Sequence, residues 1–315
     1  MTTNISSDIN EYNAVIQEVK MPGVGKNISV FIKRLDLIHP VISGNKWYKL
    51  KYNLIEARKK GYETLLTFGG AFSNHIHATA AVGKLFEFKT IGFIRGEEHL
   101  PLNPTLDFAT KQDMELFYVD RQSYRNKNSP EFLNKIRKNF QHVYILPEGG
   151  TNSLAVKGCS EIINSIDINF NYICTPVGTG GTISGLIAGL KEQKSIMGFS
   201  VLKNGYFLSG NIGDLLNDYN NINYKNWQIN HDYHFEGYAK LNLELINFID
   251  EFKQINDIQL DYVYTSKMMY GIFDLIRKKV FEPKSVIIAL HTGGVQGNSG
   301  MNQRVEKLLI KEKFI

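Results

Sequence analysis

The sequence predicts an α/β chain with parallel sheets covered by helices, in two domains or one large unit. Three observations predict it. Short apolar runs alternate with helical patterns along most of the chain, which places parallel strands beneath helices on both faces. Three Gly-rich turns, Gly69-Gly70, Gly178-Thr179-Gly180-Gly181 and Gly293-Gly294, each stand between a strand and a helix. The length, 315 residues, allows a large buried core and more than one domain.

The elements follow in order. Residues 28–34 (ISVFIKR) read as a strand, and a loop over 35–44 leads to a helix starting near Asn45. Residues 64–68 form a short apolar strand, and a helix spans 73–85. A strand at 90–94, a helical stretch at 105–112 and a strand at 115–119 come next. Residues 120–139 read as a polar connection. The alternation resumes with a strand at 142–146, a helix at 152–165, a strand at 172–177, a helix at 182–193 and a strand at 196–202. Residues 204–256 are rich in Asn and Tyr and are hard to assign. A strand at 285–291 and a helix at 296–313 close the pattern.

Composition narrows the function. Hydrophobic residues make up 43% and charged residues 21%, ordinary values for a soluble globular protein. The net charge is +5, with Lys and Arg scattered among Asp and Glu. The Lys-rich stretch 46–60 (KWYKLKYNLIEARKK) has apolar residues at helical spacing and reads as a solvated helix face rather than a nucleic-acid patch. No arginine-rich tail, zinc-type cluster or RNA-binding signature points to nucleic acid. The opening residues, MTTNISSDINEYN, hold no apolar signal core. No run approaches the ~20 apolar residues of a membrane helix. Cys159 and Cys174 form neither a CxxC pair nor a disulfide framework, so a reducing cytoplasm is the expected compartment.

Several constellations can carry chemistry. VGTGGTISG, from Val177 to Gly185, follows a strand and opens a helix. Its glycines allow close backbone approach, and free N–H groups with the helix dipole hold an anion. It is no Walker loop, and Ile183 stands where a dinucleotide fingerprint needs its third glycine. A phosphate-sized cradle is the expectation, a tight turn the plain alternative. SGNKWYKL places Lys46 at a helix start, an unfavourable place for a cation. A Schiff-base lysine needs an accessible amine with a lowered pKa, and Lys49 shares roughly the same helix face; ordinary surface lysines are the alternative. In FGGAFSNHIHATAAVG, Ser73 and Asn74 are natural N-cap residues whose neighbouring N–H groups suit a carboxylate. His75 and His77 point to different helix faces, so that pair is no metal site. Tyr238, Tyr262, Tyr264 and Tyr270 offer hydroxyls for proton transfer, or core packing. HTGG, from His291 to Gly294, ends a strand.

In this order, GNKWYKL, GGAFSNHIHATAAV, VGTGGTISG, YVYTSKMMYG and HTGG resemble the 1-aminocyclopropane-1-carboxylate (ACC) deaminase / D-cysteine desulfhydrase family of pyridoxal-phosphate (PLP) enzymes, over residues 44–294. The resemblance implies the two-domain tryptophan-synthase-β-like architecture, PLP fold type II. Residues 1–46 and 144–315 would form a large PLP-binding domain, and 47–143 a small inserted one. It implies a homodimer acting on a small amino acid; the residues themselves lead us to expect no nucleic-acid, membrane or metal partner. It implies Lys46 as the lysine joined to PLP as an aldimine, and as the base once freed. Lys49 matches the lysine reaching the phosphate, and Asn74 the partner of the ring hydroxyl. Gly178, Thr179, Gly180, Gly181 and Thr182 match the phosphate loop. Ser73, with the N–H groups of Asn74 and His75, matches the substrate-carboxylate site. Tyr238 and Tyr264 match active-site tyrosines, and Thr265 the position beside the pyridine nitrogen.

Departures from the deaminase form matter. Thr265 replaces its Glu, and Ala71-Phe72 replace the middle of its GGIQSN. Trp47 and Tyr48 also replace the small or basic residues usual after the lysine. A hydroxyl does not hold the pyridine nitrogen protonated as a carboxylate does, and opening an unactivated cyclopropane needs that deeper electron sink more than expelling a thiolate does. The expected reaction is therefore β-elimination, from a D-cysteine-like substrate, to a 2-oxo acid and ammonia. Racemisation or β-replacement on the same fold, and a non-catalytic protein that binds PLP or an amino acid, are the alternatives.

Overall fold

The computed structural model describes residues 9–23 and 27–312. The expectations for residues 1–8, and for the end of the last helix at residue 313, lie outside them. The described strands are β1 (Ile16–Val19), β2 (Ser29–Arg34), β3 (Thr64–Gly70), β4 (Lys89–Arg95), β5 (Met114–Val119), β6 (Val143–Ile145), β7 (Tyr172–Val177), β8 (Ser195–Ser200), β9 (Trp227–Asn230) and β10 (Val286–His291). The described α-helices are α1 (Asn45–Lys59), α2 (Asn74–Leu85), α3 (Pro104–Lys111), α4 (Arg121–Arg125), α5 (Pro130–Asn139), α6 (Ser153–Ser160), α7 (Gly181–Leu190), α8 (Leu208–Asn220), α9 (Leu243–Asn256), α10 (Thr265–Arg277) and α11 (Asn302–Glu312).

The strands form two sheets. The larger runs β1-β2-β10-β7-β8-β9 and the smaller β5-β4-β3-β6. Every pairing is parallel except β1 with β2, where Ile16 faces Lys33 and Val19 faces Val30. The sequence pattern missed β1 because four residues at an edge, mostly half-buried, leave little apolar signal. An antiparallel edge strand on a parallel sheet is common.

Both faces of the larger sheet are covered. Ile288 and Leu290 of β10 join the core under α1, α6 and α7, while Ile287 and Ala289 join the opposite core under α9 and α10. Side chains alternate across the strand, so a β10 apolar from Val286 to Leu290 (VIIAL) fits a sheet buried on both sides. In the smaller sheet, Leu66, Phe68, Ile91 and Phe93 pack on α5, and Ile94 and Met114 on α2 and α3.

The polar stretch 120–139 is helical. Asp120 accepts from the N–H groups of Gln122 and Ser123, each at 2.9 Å, to start α4. Ser129 caps α5 with Pro130 in its first turn. Ser-Pro-Glu is a helix-start signature, but the apolar face behind it is short. The stretch 204–256 resolves into α8, β9 and α9. Two expected helices end in tighter 3-10 turns or begin with them: Glu161–Ser165 follows α6, and Val295–Met301 precedes α11.

The reading of residues 46–60 as a solvated face holds only for the C-terminal end of α1, where Arg58, Lys59 and Lys60 are exposed. Lys49 and Lys51 are buried. Lys51 pairs with Glu11 and Glu161, so its charge is compensated.

Candidate active site

The carboxyl ends of β3, β7 and β10 open on one cavity of about 860 Å³, where ligands sit in open α/β sheets. Lys46, Lys49, Ser73, Asn74, His75, Gly178, Thr179, Gly180, Thr182, Tyr238 and Tyr264 all line it. Gly181 and Thr265 do not reach its surface; Tyr262 and Tyr270 stay with the core under α9 and α10.

Local backbone chemistry fixes Lys46. Gly44 precedes α1 with φ +70°, a conformation that favours glycine. A Cβ there would lie 2.0 Å from the Thr292 carbonyl oxygen. The Asn45 N–H donates to that same carbonyl at 3.3 Å, tying the start of α1 to the end of β10. The Asn45 side chain donates to Thr182 Oγ1 at 2.8 Å, tying it also to α7. The Lys46 amine donates to Asn45 Oδ1 at 2.7 Å. Burial, then the neighbouring Lys49, lowers its pKa from 10.5 to about 7. Near pH 7 about half of the amine is therefore neutral and nucleophilic.

Lys49 donates to the Gly149 carbonyl at 3.1 Å, Thr151 Oγ1 at 3.0 Å and Thr179 Oγ1 at 3.2 Å. Burial lowers its pKa to about 8. No carboxylate pairs with it among the described residues, and it stands beside the N-terminus of α7. A Cβ on Gly181 would lie 3.1 Å from its Nζ, and one on Gly178 would lie 3.2 Å from the Tyr264 ring. The loop is thus a concavity that side chains would fill, with an ammonium and a helix N-terminus at its rim. That is an anion cradle.

A second helix N-terminus faces the cavity. Ser73 Oγ accepts from the His75 and Ile76 N–H groups at 3.2 and 3.3 Å, capping α2. The His75 N–H is therefore shared with its own cap. The His75 ring bonds Thr67 Oγ1 at 2.7 Å, and burial, then Lys46 and Lys49, holds its pKa well below the usual value. His77 turns away and stacks on Phe108 at 3.8 Å. No metal-binding group occurs among the described residues. The Gly293-Gly294 turn presses on Asn74: a Cβ at Gly294 would meet its Nδ2 at 2.4 Å.

Two residues behind the wall were not legible as functional. Asp261, buried, accepts from the N–H groups of Val263 (3.0 Å), Tyr264 (2.7 Å) and Thr265 (2.8 Å), fixing the start of α10. Lys267 is fully buried and donates to the His234 and Gly237 carbonyls at 2.9 and 2.7 Å, holding the loop that presents Tyr238. Burial lowers its pKa to about 8. The only sequence signal was an Asp ahead of a helix start. Tyr264 donates to the Tyr238 hydroxyl at 3.3 Å. Burial raises the pKa of both, most for Tyr264, so both keep their protons. Thr265 is buried, and its hydroxyl has no partner among the described residues.

A buried amine with a lowered pKa beside an anion cradle, at the carboxyl ends of parallel strands, fits an aldehyde that carries a phosphate. These features describe a PLP-dependent enzyme, and the family model described as "Pyridoxal-phosphate dependent enzyme" matches residues 16–293. A Thermotoga maritima protein provisionally named 1-aminocyclopropane-1-carboxylate deaminase is 32% identical, covering 92% of this chain and 96% of its own. An Arabidopsis thaliana protein named bifunctional D-cysteine desulfhydrase/1-aminocyclopropane-1-carboxylate deaminase, mitochondrial, is 27% identical over 90% of this chain and 76% of its own. A solved structure described as an ACC deaminase homologue superposes with TM-score 0.81 at 26% identity, covering 98% of this chain and 100% of that one. The chain belongs to the ACC deaminase / D-cysteine desulfhydrase family of PLP-dependent enzymes. Among the described residues no helix is long and apolar enough to cross a membrane.

Proposed function

We propose that this enzyme β-eliminates a small amino acid, with D-cysteine favoured over ACC, giving a 2-oxo acid, ammonia and, from cysteine, sulfide. The observation that carries the proposal is the Lys46 amine, which faces the cavity between two helix N-termini with its pKa lowered to about 7. Bound PLP supplies an electron sink that stabilises negative charge at the substrate α-carbon. The chain's residues do the rest. Lys46 would hold the aldehyde, and its amine would serve as the base for the α-proton. Lys49, Gly178, Thr179, Gly180 and Thr182 would hold the phosphate, with Gly181 behind them at the start of α7, and Asn74 would hold the ring hydroxyl. Ser73 and the start of α2 orient the substrate carboxylate. Tyr238 and Tyr264 keep their protons, which suits them to protonate the departing sulfur rather than to act as bases.

Thr265 favours elimination over ring opening, because a neutral hydroxyl does not enforce a charged pyridine nitrogen. Phe72, 47% exposed at the cavity, adds an apolar surface where the deaminase form has Gln. We also propose that residues 47–143, which hold most of the smaller sheet, form the inserted domain, and that the protein is a cytoplasmic homodimer that engages neither nucleic acid nor membrane.

The test incubates the PLP-loaded protein with D-cysteine, L-cysteine, D-serine and ACC, and measures 2-oxo acid, sulfide and inverted amino acid. Fastest release of 2-oxo acid and sulfide from D-cysteine is the expected result. ACC as the best substrate, or inversion without 2-oxo acid, contradicts it. Bound PLP without any turnover would instead point to a binding protein.

A further inference from the structure

One wall of the cavity carries charge that the proposed chemistry leaves unused. Arg95, the last residue of β4, lines the cavity and is exposed. Lys127 and Glu148 line the same wall and pair at 3.1 Å. Glu148 also accepts from the Tyr124 hydroxyl at 2.9 Å. The Tyr124 ring meets both cations: Lys127 Nζ lies 4.9 Å and Arg95 Cζ 5.9 Å from its centre. Glu148 is thus engaged by Lys127 and Tyr124, and no described carboxylate pairs with Arg95. Two cations and one carboxylate leave one positive charge unbalanced, on a guanidinium facing the cavity.

The place of that charge matters. Arg95 Nη2 lies 3.5 Å from where a Cβ of Gly70 would stand. Gly70 begins the turn that runs to Ser73 and the N-terminus of α2. The guanidinium therefore overhangs the approach to the candidate carboxylate site. Its planar fork matches a carboxylate or sulfonate through two parallel N–H donors. The cavity, about 860 Å³, lies in the upper part of the range for ligand pockets.

We propose that Arg95 reads an anionic group on the substrate side chain, a second acid beyond the α-carboxylate. The class is amino acids with a negatively charged side chain; cysteine, whose free thiol has a pKa of about 8.5, joins it only as the thiolate. This rests on the function proposed above, since it presumes that an amino acid binds at the Lys46 site.

The test titrates the PLP-loaded protein with aspartate and asparagine, an acid and its amide isostere, and follows the visible absorbance of the cofactor. The unsubstituted protein should half-saturate with aspartate at about tenfold lower concentration than with asparagine, the scale of one charge-assisted hydrogen bond. Arg95→Gln should bring that ratio close to one, and Arg95→Lys should retain part of it. The visible band itself reports that each variant is folded and loaded. A ratio near one in the unsubstituted protein, or a ratio unchanged in Arg95→Gln, overturns the assignment of Arg95 while leaving the proposed function standing. If no amino acid, cysteine included, alters the spectrum, the proposed function falls and this subsite falls with it.

Discussion

Lys46 shows how a single side chain acquires its chemistry from neighbours distant in sequence. Gly44, Asn45 and Thr292 fix its backbone, and burial with Lys49 lowers its pKa to about 7. An ammonium does not attack an aldehyde, so the neutral fraction sets the rate of cofactor capture. Capture of PLP by the cofactor-free protein, followed by stopped-flow absorbance, should accelerate as pH rises through about 7 and level off above about 8. A rate still climbing above about pH 9 would mean an unshifted lysine. At Gly44, alanine must adopt a positive φ and also meet the Thr292 carbonyl. Gly44→Ala should cost at least about 1–3 kcal/mol in chemical denaturation from backbone strain alone, and should slow PLP capture by misplacing Lys46. The residue type and position of Lys46 were readable from SGNKWYKL; its pKa was not, because it depends on burial that only the assembled cavity creates.

At the scale of elements, helix N-termini do most of the positioning. Ser73→Ala removes the acceptor for two N–H groups of α2. It should cost about 1 kcal/mol in denaturant unfolding and raise the half-saturating concentration of amino acids in the cofactor spectrum. The start of α10 depends on Asp261, and the loop bearing Tyr238 depends on Lys267. Lys267→Met takes the donor from two carbonyls, about 1–3 kcal/mol for groups left unsatisfied. It should lower turnover while the visible cofactor band persists; loss of the band as well would mean that the loop does more than seat Tyr238. Strongly apolar elements such as β3, β7 and β10 were legible in sequence. The helices α4, α5 and α8 were not, because their polar sequences bury only one to three side chains each, and α9 was passed over because it lies in a stretch rich in Asn and Tyr. That omission also hid Lys127, which the residues after α4 bring to the cavity, and Tyr124 of α4, which stands behind it with its hydroxyl on Glu148.

For the whole molecule, the fold class was readable from alternation and Gly-rich turns because parallel strands buried on both faces must be apolar throughout. Sheet geometry also accounts for the turns at Gly70 and at residues 178–180 lining one cavity, while Gly294 presses on Asn74 at its edge. What lay outside that logic was the antiparallel edge β1 and the buried polar residues Asp261 and Lys267, whose partners are set by tertiary placement. The site is assembled from α1, α2, α7 and the ends of β3, β7 and β10, so cofactor binding should stabilise the fold as a unit. PLP at a hundredfold over its dissociation constant should add about 2.7 kcal/mol, read as a rise in Tm in differential scanning calorimetry. Pyridoxal without the phosphate, at equal concentration, should give a smaller rise; equal rises would mean that the α7 cradle holds nothing. The central claim is that Lys46, rather than Lys49 one turn further along α1, carries the cofactor. Reduction of the PLP-loaded protein with borohydride, followed by peptide mass spectrometry, tests it most directly. A phosphopyridoxyl group on Lys46 is the predicted result, and the same group on Lys49, or no modified lysine at all, would contradict the account.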